Sequence, residues 1–262
     1  MSINVSYTGF AQVYDTFMDN VPYDDWVKYL HQLLKEYGVD SGLVLDLGCG
    51  TGNITRRLRT LGYDMIGLDS SSQMLEIAKQ KGKFEDILYI NQDMRDFELY
   101  GTVSAVVSIC DSMNYITSED ELLEVFKLVN NYLDSGGAFI FDMDTKYKYE
   151  RVLAYNVIAE DRDDSSFIWS NYYYEEEQIN ESNISIFINK EEDIFERFRE
   201  IHFQKAYSIE TVVDLIKKAN MEFVAVYDAF THKAPRDESE RVYFVARERY
   251  QENKTYIKEH ED

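Results

Sequence analysis

The feature that most constrains this chain is a run of apolar residues leading straight into a glycine turn, Val44-Leu45-Asp46-Leu47-Gly48-Cys49-Gly50-Thr51-Gly52. Glycines at alternate positions let the backbone take φ > 0 and come within contact of a ligand where a strand hands over to a helix. The same strand–helix alternation continues downstream. Leu43–Leu47, Asp64–Leu68, Ile87–Ile90, Val103–Ile109 and Ala138–Asp142 read as strands. Between them lie helical patterns through Ile54 and Leu58, from Ser71 to Lys81, and from Glu119 to Leu133, the last stopped by Ser135-Gly136-Gly137. Such alternation predicts a doubly wound, parallel α/β sheet. Upstream, Phe10, Tyr14, Phe17 and Met18 fall at helical spacing, and Asp24-Asp25 opens an amphipathic helix that ends at Gly38.

From about Lys146 the period changes from 3.6 to 2. Ser166–Tyr174, Ser182–Asn189 and Ile194–Phe203 alternate in an acid-rich stretch, which predicts an antiparallel β layer inserted into or laid over the α/β unit. The α/β pattern then resumes, with Ser208 as N-cap of a helix to Lys218 and strands Glu222–Tyr227 and Arg241–Ala246. The expected organisation is one domain from residues 1–145 and 205–250, an insert at 146–204, and a polar tail at 251–262.

Composition narrows the partners. With 27 Lys+Arg against 49 Asp+Glu, the net charge of −22 repels phosphate backbones and anionic lipid, so neither nucleic acid nor a membrane is an expected partner. The densest basic run, Arg56-Arg57-Leu58-Arg59, is short. Two cysteines, Cys49 and Cys110, cannot build a disulfide framework. There is no apolar run near the ~20 residues a bilayer requires, and no signal-peptide pattern. The expected location is the cytoplasm, as a monomer or homodimer, and no metal cluster is evident.

The chemistry of the turn points to a nucleoside ligand. Asp69, at the tip of the second strand in Gly67-Leu68-Asp69, can accept both hydroxyls of a ribose, which NAD and S-adenosylmethionine (SAM) share. After the third strand, Asn91-Gln92-Asp93-Met94-Arg95-Asp96-Phe97 offers an acid and an apolar side chain for an adenine edge and face. The G-x-G-x-G spacing lacks the third glycine of the dinucleotide fingerprint. Asp46 beside the turn would repel a pyrophosphate and attract a ligand carrying ammonium and sulfonium groups.

Taken in order, Asp46 to Gly52, Gly67 to Asp69 with Ser71 to Met74, Gln92-Asp93-Met94 and Ser135-Gly136-Gly137 resemble the successive motifs of class I SAM-dependent methyltransferases. The resemblance covers about residues 40–145, and the helix–strand–strand end at 208–247 fits it. It implies a Rossmann-like seven-stranded sheet carrying an inserted antiparallel β subdomain, with SAM as cofactor. Phe10 to Asp15 resembles the N-terminal helix that closes over the cofactor, and the insert resembles that of small-molecule enzymes such as amino-sugar N-methyltransferases. By the same resemblance Asp46 anchors the methionine amino group, and Gly48, Cys49 and Gly50 shape its seat. Asp69 with Ser70 holds the ribose, Met74 packs near the adenine, Asp93 and Met94 fix its edge, and Cys110 and Asp111 offer backbone groups to the methionine amine.

Methyl transfer from a sulfonium is an in-line displacement, so alignment and water exclusion are the main tasks, and an amine acceptor has only to arrive neutral. The residues expected to face a small-molecule methyl acceptor are Tyr14 from the lid, Asn114 and Tyr115 beyond the fourth strand, and His202 from the insert. Each has a plainer reading: a helix-face ring, the turn into the next helix, a satisfied strand histidine. Cys49 reads as a small packed group rather than a nucleophile. Two other functions stay open to the sequence: an NAD-linked oxidoreductase, and a SAM-binding sensor or partner-binding module that does no chemistry.

Overall fold

Eleven strands and six α-helices carry the described chain in the order its periodicity dictates. The computed structural model describes residues 10–82, 86–192, 194–250, 252 and 254. Helices α1 (Phe10–Phe17) and α2 (Tyr23–Glu36) precede β1 (Leu43–Leu47), α3 (Asn53–Thr60), β2 (Asp64–Asp69), α4 (Ser72–Gln80), β3 (Leu88–Asn91), β4 (Val103–Ser108), α5 (Glu119–Tyr132) and β5 (Leu133–Asp144). Then come β6 (Val157–Asp161), β7 (Ser165–Tyr174), β8 (Ile179–Glu191) and β9 (Ile194–Lys205), followed by α6 (Ile209–Lys218), β10 (Met221–Asp228) and β11 (Arg241–Glu248). Seven strands form one sheet in the order β10-β11-β5-β4-β1-β2-β3, and β6 to β9 form a second in chain order. The large sheet is Rossmann-like but not wholly parallel: β11 runs antiparallel to both β5 and β10.

Alternation along the buried strands sorts the core into two layers. Leu45, Leu47, Val106, Phe139 and Phe141 meet the apolar stripes of α5 and α6 on one side. Val44, Met65, Val107, Ile140 and Val245 meet α2 and α3 on the other, the side on which Asp46 falls. Ser71 caps α4 by accepting the Met74 N–H, and Ser208 caps α6 through Thr211. Gly136 and Gly137 do not end a loop before β5, as their pattern suggests. They sit inside it at a register shift, where a Cβ on Gly137 would come within 3.0 Å of two backbone oxygens. Strand β6 was not expected, because Val157-Ile158-Ala159-Glu160-Asp161 does not alternate.

The small sheet has one working face. Cross-strand register puts Tyr173–Asn180–Gln204, Asn171–Ser182–His202, Trp169–Ile184–Glu200 and Phe167–Ile186–Phe198 in successive rows. The apolar end of this face packs on α1, with Phe17 edge-on to Phe167 at 4.7 Å, while Arg162 grips Asp19 at 2.7 and 3.0 Å. Its polar end lies over the carboxyl end of the large sheet. Of the expected tail only Glu252 and Lys254 are described, and the Lys254 ammonium is not loose: it donates to the carbonyls of Asn130 and Leu133.

Candidate active site

Consecutive strands β1, β2 and β3 end at one edge of the sheet, and their ends open on a cavity of about 410 Å³. Its walls include Asp46, Gly48, Cys49, Gly50, Asp69, Ser70, Met74, Asp93 and Met94. Gly48 and Gly50 take φ of +82° and +53°. A Cβ on Gly48 would collide with Ser112 at 2.8 Å, whereas one on Gly50 would meet no atom within 4 Å and would project into open space. The turn is therefore a seat whose backbone lies open to a ligand. Asp69 holds the turn in shape, accepting Gly50 N–H on one oxygen and Ser71 N–H on the other, each at 2.8 Å. With the Ser70 backbone as a further donor, the carboxylate still has acceptor capacity left, which suits a ribose hydroxyl. Burial raises Asp69 above its ordinary range, against those backbone donors. Asp46 accepts the Thr55 hydroxyl at 2.6 Å and is pushed up to about 7, mainly by burial and further by Asp69. A buried carboxyl in that state favours a cationic guest, so the seat fits the ammonium-bearing half of SAM.

At the end of β4, Cys110 and Asp111 both take left-handed φ, +68° and +53°, a cost of about 1–2 kcal/mol per non-glycine residue. Long-range bonds hold them there. Asp142 accepts both their N–H groups at 3.2 and 2.7 Å. Arg241 in turn binds Asp142, Asp111 and Asp144 at 2.6, 2.7 and 3.0 Å. Tyr14 from α1 and Tyr23 from α2 close the opposite wall, with Tyr115, Ile201, His202 and Phe203 toward the insert. Helix α1 is latched by Asp15, which accepts Thr51 and Asn53 at 2.8 Å each and pairs with Lys81 at 2.7 Å.

Comparison with known proteins agrees with this geometry. A family profile described as a methyltransferase domain matches residues 44–137. YqeM of Bacillus subtilis (strain 168), a protein named as a methyltransferase, is 35% identical over 253 residues, 96% of this chain and 99% of its own. The chain is a SAM-dependent methyltransferase. A SAM-dependent methyltransferase from Clostridium acetobutylicum ATCC 824 superposes on it with a TM-score of 0.82 at 28% identity, covering 93% of this chain and 99% of that one. The sugar N-methyltransferase KedS8 from Streptoalloteichus sp. ATCC 53650 shares the fold, with a TM-score of 0.77 at 18% identity over 91% and 93% of the two chains.

Within this methyltransferase the expected site residues fare unevenly. Tyr14, Tyr115 and His202 come together on the cavity wall, and Asn114 does not. Its amide is spent on structure, donating to the carbonyls of Asp144 and Lys205 at 3.0 and 2.8 Å and accepting the Asp144 N–H at 3.0 Å. That clamp ties the ends of β5 and β9 together. Asp111 is also turned away from the cavity. Its N–H goes to Asp142, its carbonyl to Asn114 N–H, and its carboxylate to Arg241 and Gln204. Cys110 stays on the wall with its N–H already taken. The Asp93 carboxylate reaches the cavity but binds Arg95, which holds it below its ordinary range. Burial pushes both thiols and the Tyr14 hydroxyl well up, so Cys49 and Cys110 are not poised nucleophiles and Tyr14 stays protonated. Tyr23, Asn53, Ser112 and Thr117 line the cavity without having been expected there. Asp15 stood inside the quoted N-terminal motif, so its latch was within reach of the sequence. Arg241 carried no local signal.

Proposed function

We infer that the methyltransferase modifies an amine on a small polar molecule. The observation that carries this reading is the make-up of the wall on the acceptor side. Tyr14 and Tyr23 from the N-terminal helices, Tyr115, and the strand bearing His202 wall a cavity whose volume of about 410 Å³ holds a cofactor and little more. The charge of −22 opposes nucleic acid while drawing a cationic amine inward. The fold shared with a sugar N-methyltransferase supports the same acceptor class. Among the described residues no helix is long and apolar enough to cross a membrane, and both cysteines are free. We place the enzyme in the cytoplasm, as a monomer or homodimer.

When bound, SAM supplies an electrophilic methyl carbon on sulfur. The chain's part is to fix and to exclude. Asp69 and the glycine seat orient the nucleoside and methionine portions, Asp46 gives the ammonium a counter-charge, and Tyr14 closes the wall against water. Reaction of labelled SAM with matched amine and alcohol panels, read by mass spectrometry, tests the acceptor class. The reading predicts label on small amines. Label confined to alcohols, protein or RNA would overturn it.

A further inference from the structure

Tyr23 opens α2 and lies in the cavity wall, only 7% exposed. Its ring is held from two sides, edge-on to Trp26 at 5.9 Å and beneath the Arg57 guanidinium at 5.2 Å. That packing gives the ring a fixed direction. The hydroxyl is buried and meets no hydrogen-bond partner at bonding geometry, although Tyr14 and Asn53 are its neighbours. A buried donor in that state costs free energy, so in a cavity wall it marks where a partner arrives with the ligand. Its surroundings say which part of the ligand. Asn53 begins α3 directly after the glycine turn and Cys110 follows β4, whereas Asp93 and Met94 follow β3 at the expected adenine end.

The methionine portion of SAM brings an ammonium and a carboxylate to the same place. The carboxylate meets an acidic wall: Asp46, Asp69 and Asp93 stand against one Lys or Arg among the described lining residues, Arg95. Arg95 sits beside Asp93 and is already bonded to it and to Glu121, at 2.6 and 3.2 Å. Arg57 is bonded to Asp24 at 2.6 Å. The nearer neutral donors are committed as well. The Asn53 amide donates to Asp15 and Thr51, and the Ser112 hydroxyl lies against the carbonyls of Ile109 and Gly48. In the turn, Gly48 and Cys49 N–H go to the Leu68 carbonyl and Gly50 N–H goes to Asp69. We propose that Tyr23 is a cofactor-binding residue whose hydroxyl donates to the carboxylate of SAM's methionine portion, while Asp46 takes the ammonium. This assignment rests on the SAM-dependent chemistry of the cavity and is independent of the acceptor class. Burial, reinforced by Cys110, pushes the Tyr23 hydroxyl up to about 12, so near neutrality it keeps the proton it has to donate.

Calorimetry on the full-length protein tests this with two ligands that differ in one group. S-Adenosylhomocysteine carries both the ammonium and the carboxylate, and S-adenosyl-3-thiopropylamine keeps the ammonium and lacks the carboxylate. Tyr23→Phe preserves the ring and removes only the donor. It should weaken S-adenosylhomocysteine roughly tenfold and leave the decarboxylated ligand within about twofold of the parent. Asp46→Asn should weaken both, since both bring an ammonium. Unchanged S-adenosylhomocysteine affinity in Tyr23→Phe overturns the assignment. An equal loss for the two ligands also overturns it, because that result reports ring packing and not a bond to the carboxylate. A loss confined to S-adenosylhomocysteine in Asp46→Asn overturns the division between the two residues. In each of these cases the parent still binds S-adenosylhomocysteine and the SAM site stands. If the parent binds neither ligand, the SAM site itself fails and the Tyr23 assignment falls with it.

Discussion

Asp46 is a carboxyl buried in the wall of the cavity. With its ionisation pushed up to about 7 by burial, it holds a proton in the folded chain that the unfolded chain releases near its ordinary value of 3.8. Its contribution to the stability of the free protein is therefore full below about pH 4 and lost as pH rises toward 7. Ligand binding has the opposite sign, because an ammonium beside Asp46 favours the ionised form. Affinity for S-adenosylhomocysteine should rise about tenfold between pH 6 and pH 8. Asp46→Asn should flatten that rise and weaken binding at pH 8. Calorimetry across this range checks both, and a flat profile in the parent contradicts the assignment. The places of Asp46 and Asp69 on the cavity wall were legible in the sequence because their surroundings are local: a strand, a turn of glycines, a strand tip. Asn114 and Asp111 were misplaced for the opposite reason. Their amide and carboxylate are claimed by β5, β9 and β11, more than 25 residues away, and no spacing rule announces a partner at that range.

At the level of elements, the closing wall depends on a short helix that cannot hold itself in place. Eight residues of α1 fall well below the length at which a helix is stable alone. It stays through Phe17 against Phe167 and through Asp15 against Lys81, Thr51 and Asn53. Burial opposes the charge on Asp15, and the Lys81, Thr51 and Asn53 bonds overcome that and hold it below the ordinary carboxylate range. Asp15→Ala should speed dissociation of S-adenosylhomocysteine about tenfold in stopped-flow experiments, with a smaller effect on association. An unchanged off-rate removes the latch from the account. The four-stranded insert was legible as an antiparallel layer from its period of two. Its edge strand β6 was not, since an exposed edge places no strict demand on alternation.

Across the whole molecule, one buried cation joins the two halves of the site. Arg241, late in the chain, fixes the loop after β4 through Asp111 and Asp142 and the end of β5 through Asp144, while its guanidinium lies 5.0 Å over the Trp26 ring of α2. Burial raises Asp142 and Asp144, and the Arg241 charge works against that rise. Arg241→Met would leave buried acids without their counter-ion and should cost about 3–5 kcal/mol in urea unfolding at pH 8. The loss should shrink at pH 5, where the orphaned carboxyls take up protons; equal losses at both values contradict this electrostatic role. The whole account stands on Asp69 as the ribose-holding acid of a SAM seat. Titrating S-adenosylhomocysteine into the parent and into Asp69→Ala by calorimetry tests it most directly. The account predicts saturable binding to the parent and a loss of tenfold or more in the variant, the worth of about 1.5–3 kcal/mol in charge-assisted hydrogen bonds. Equal affinities, or no binding to either, would contradict it.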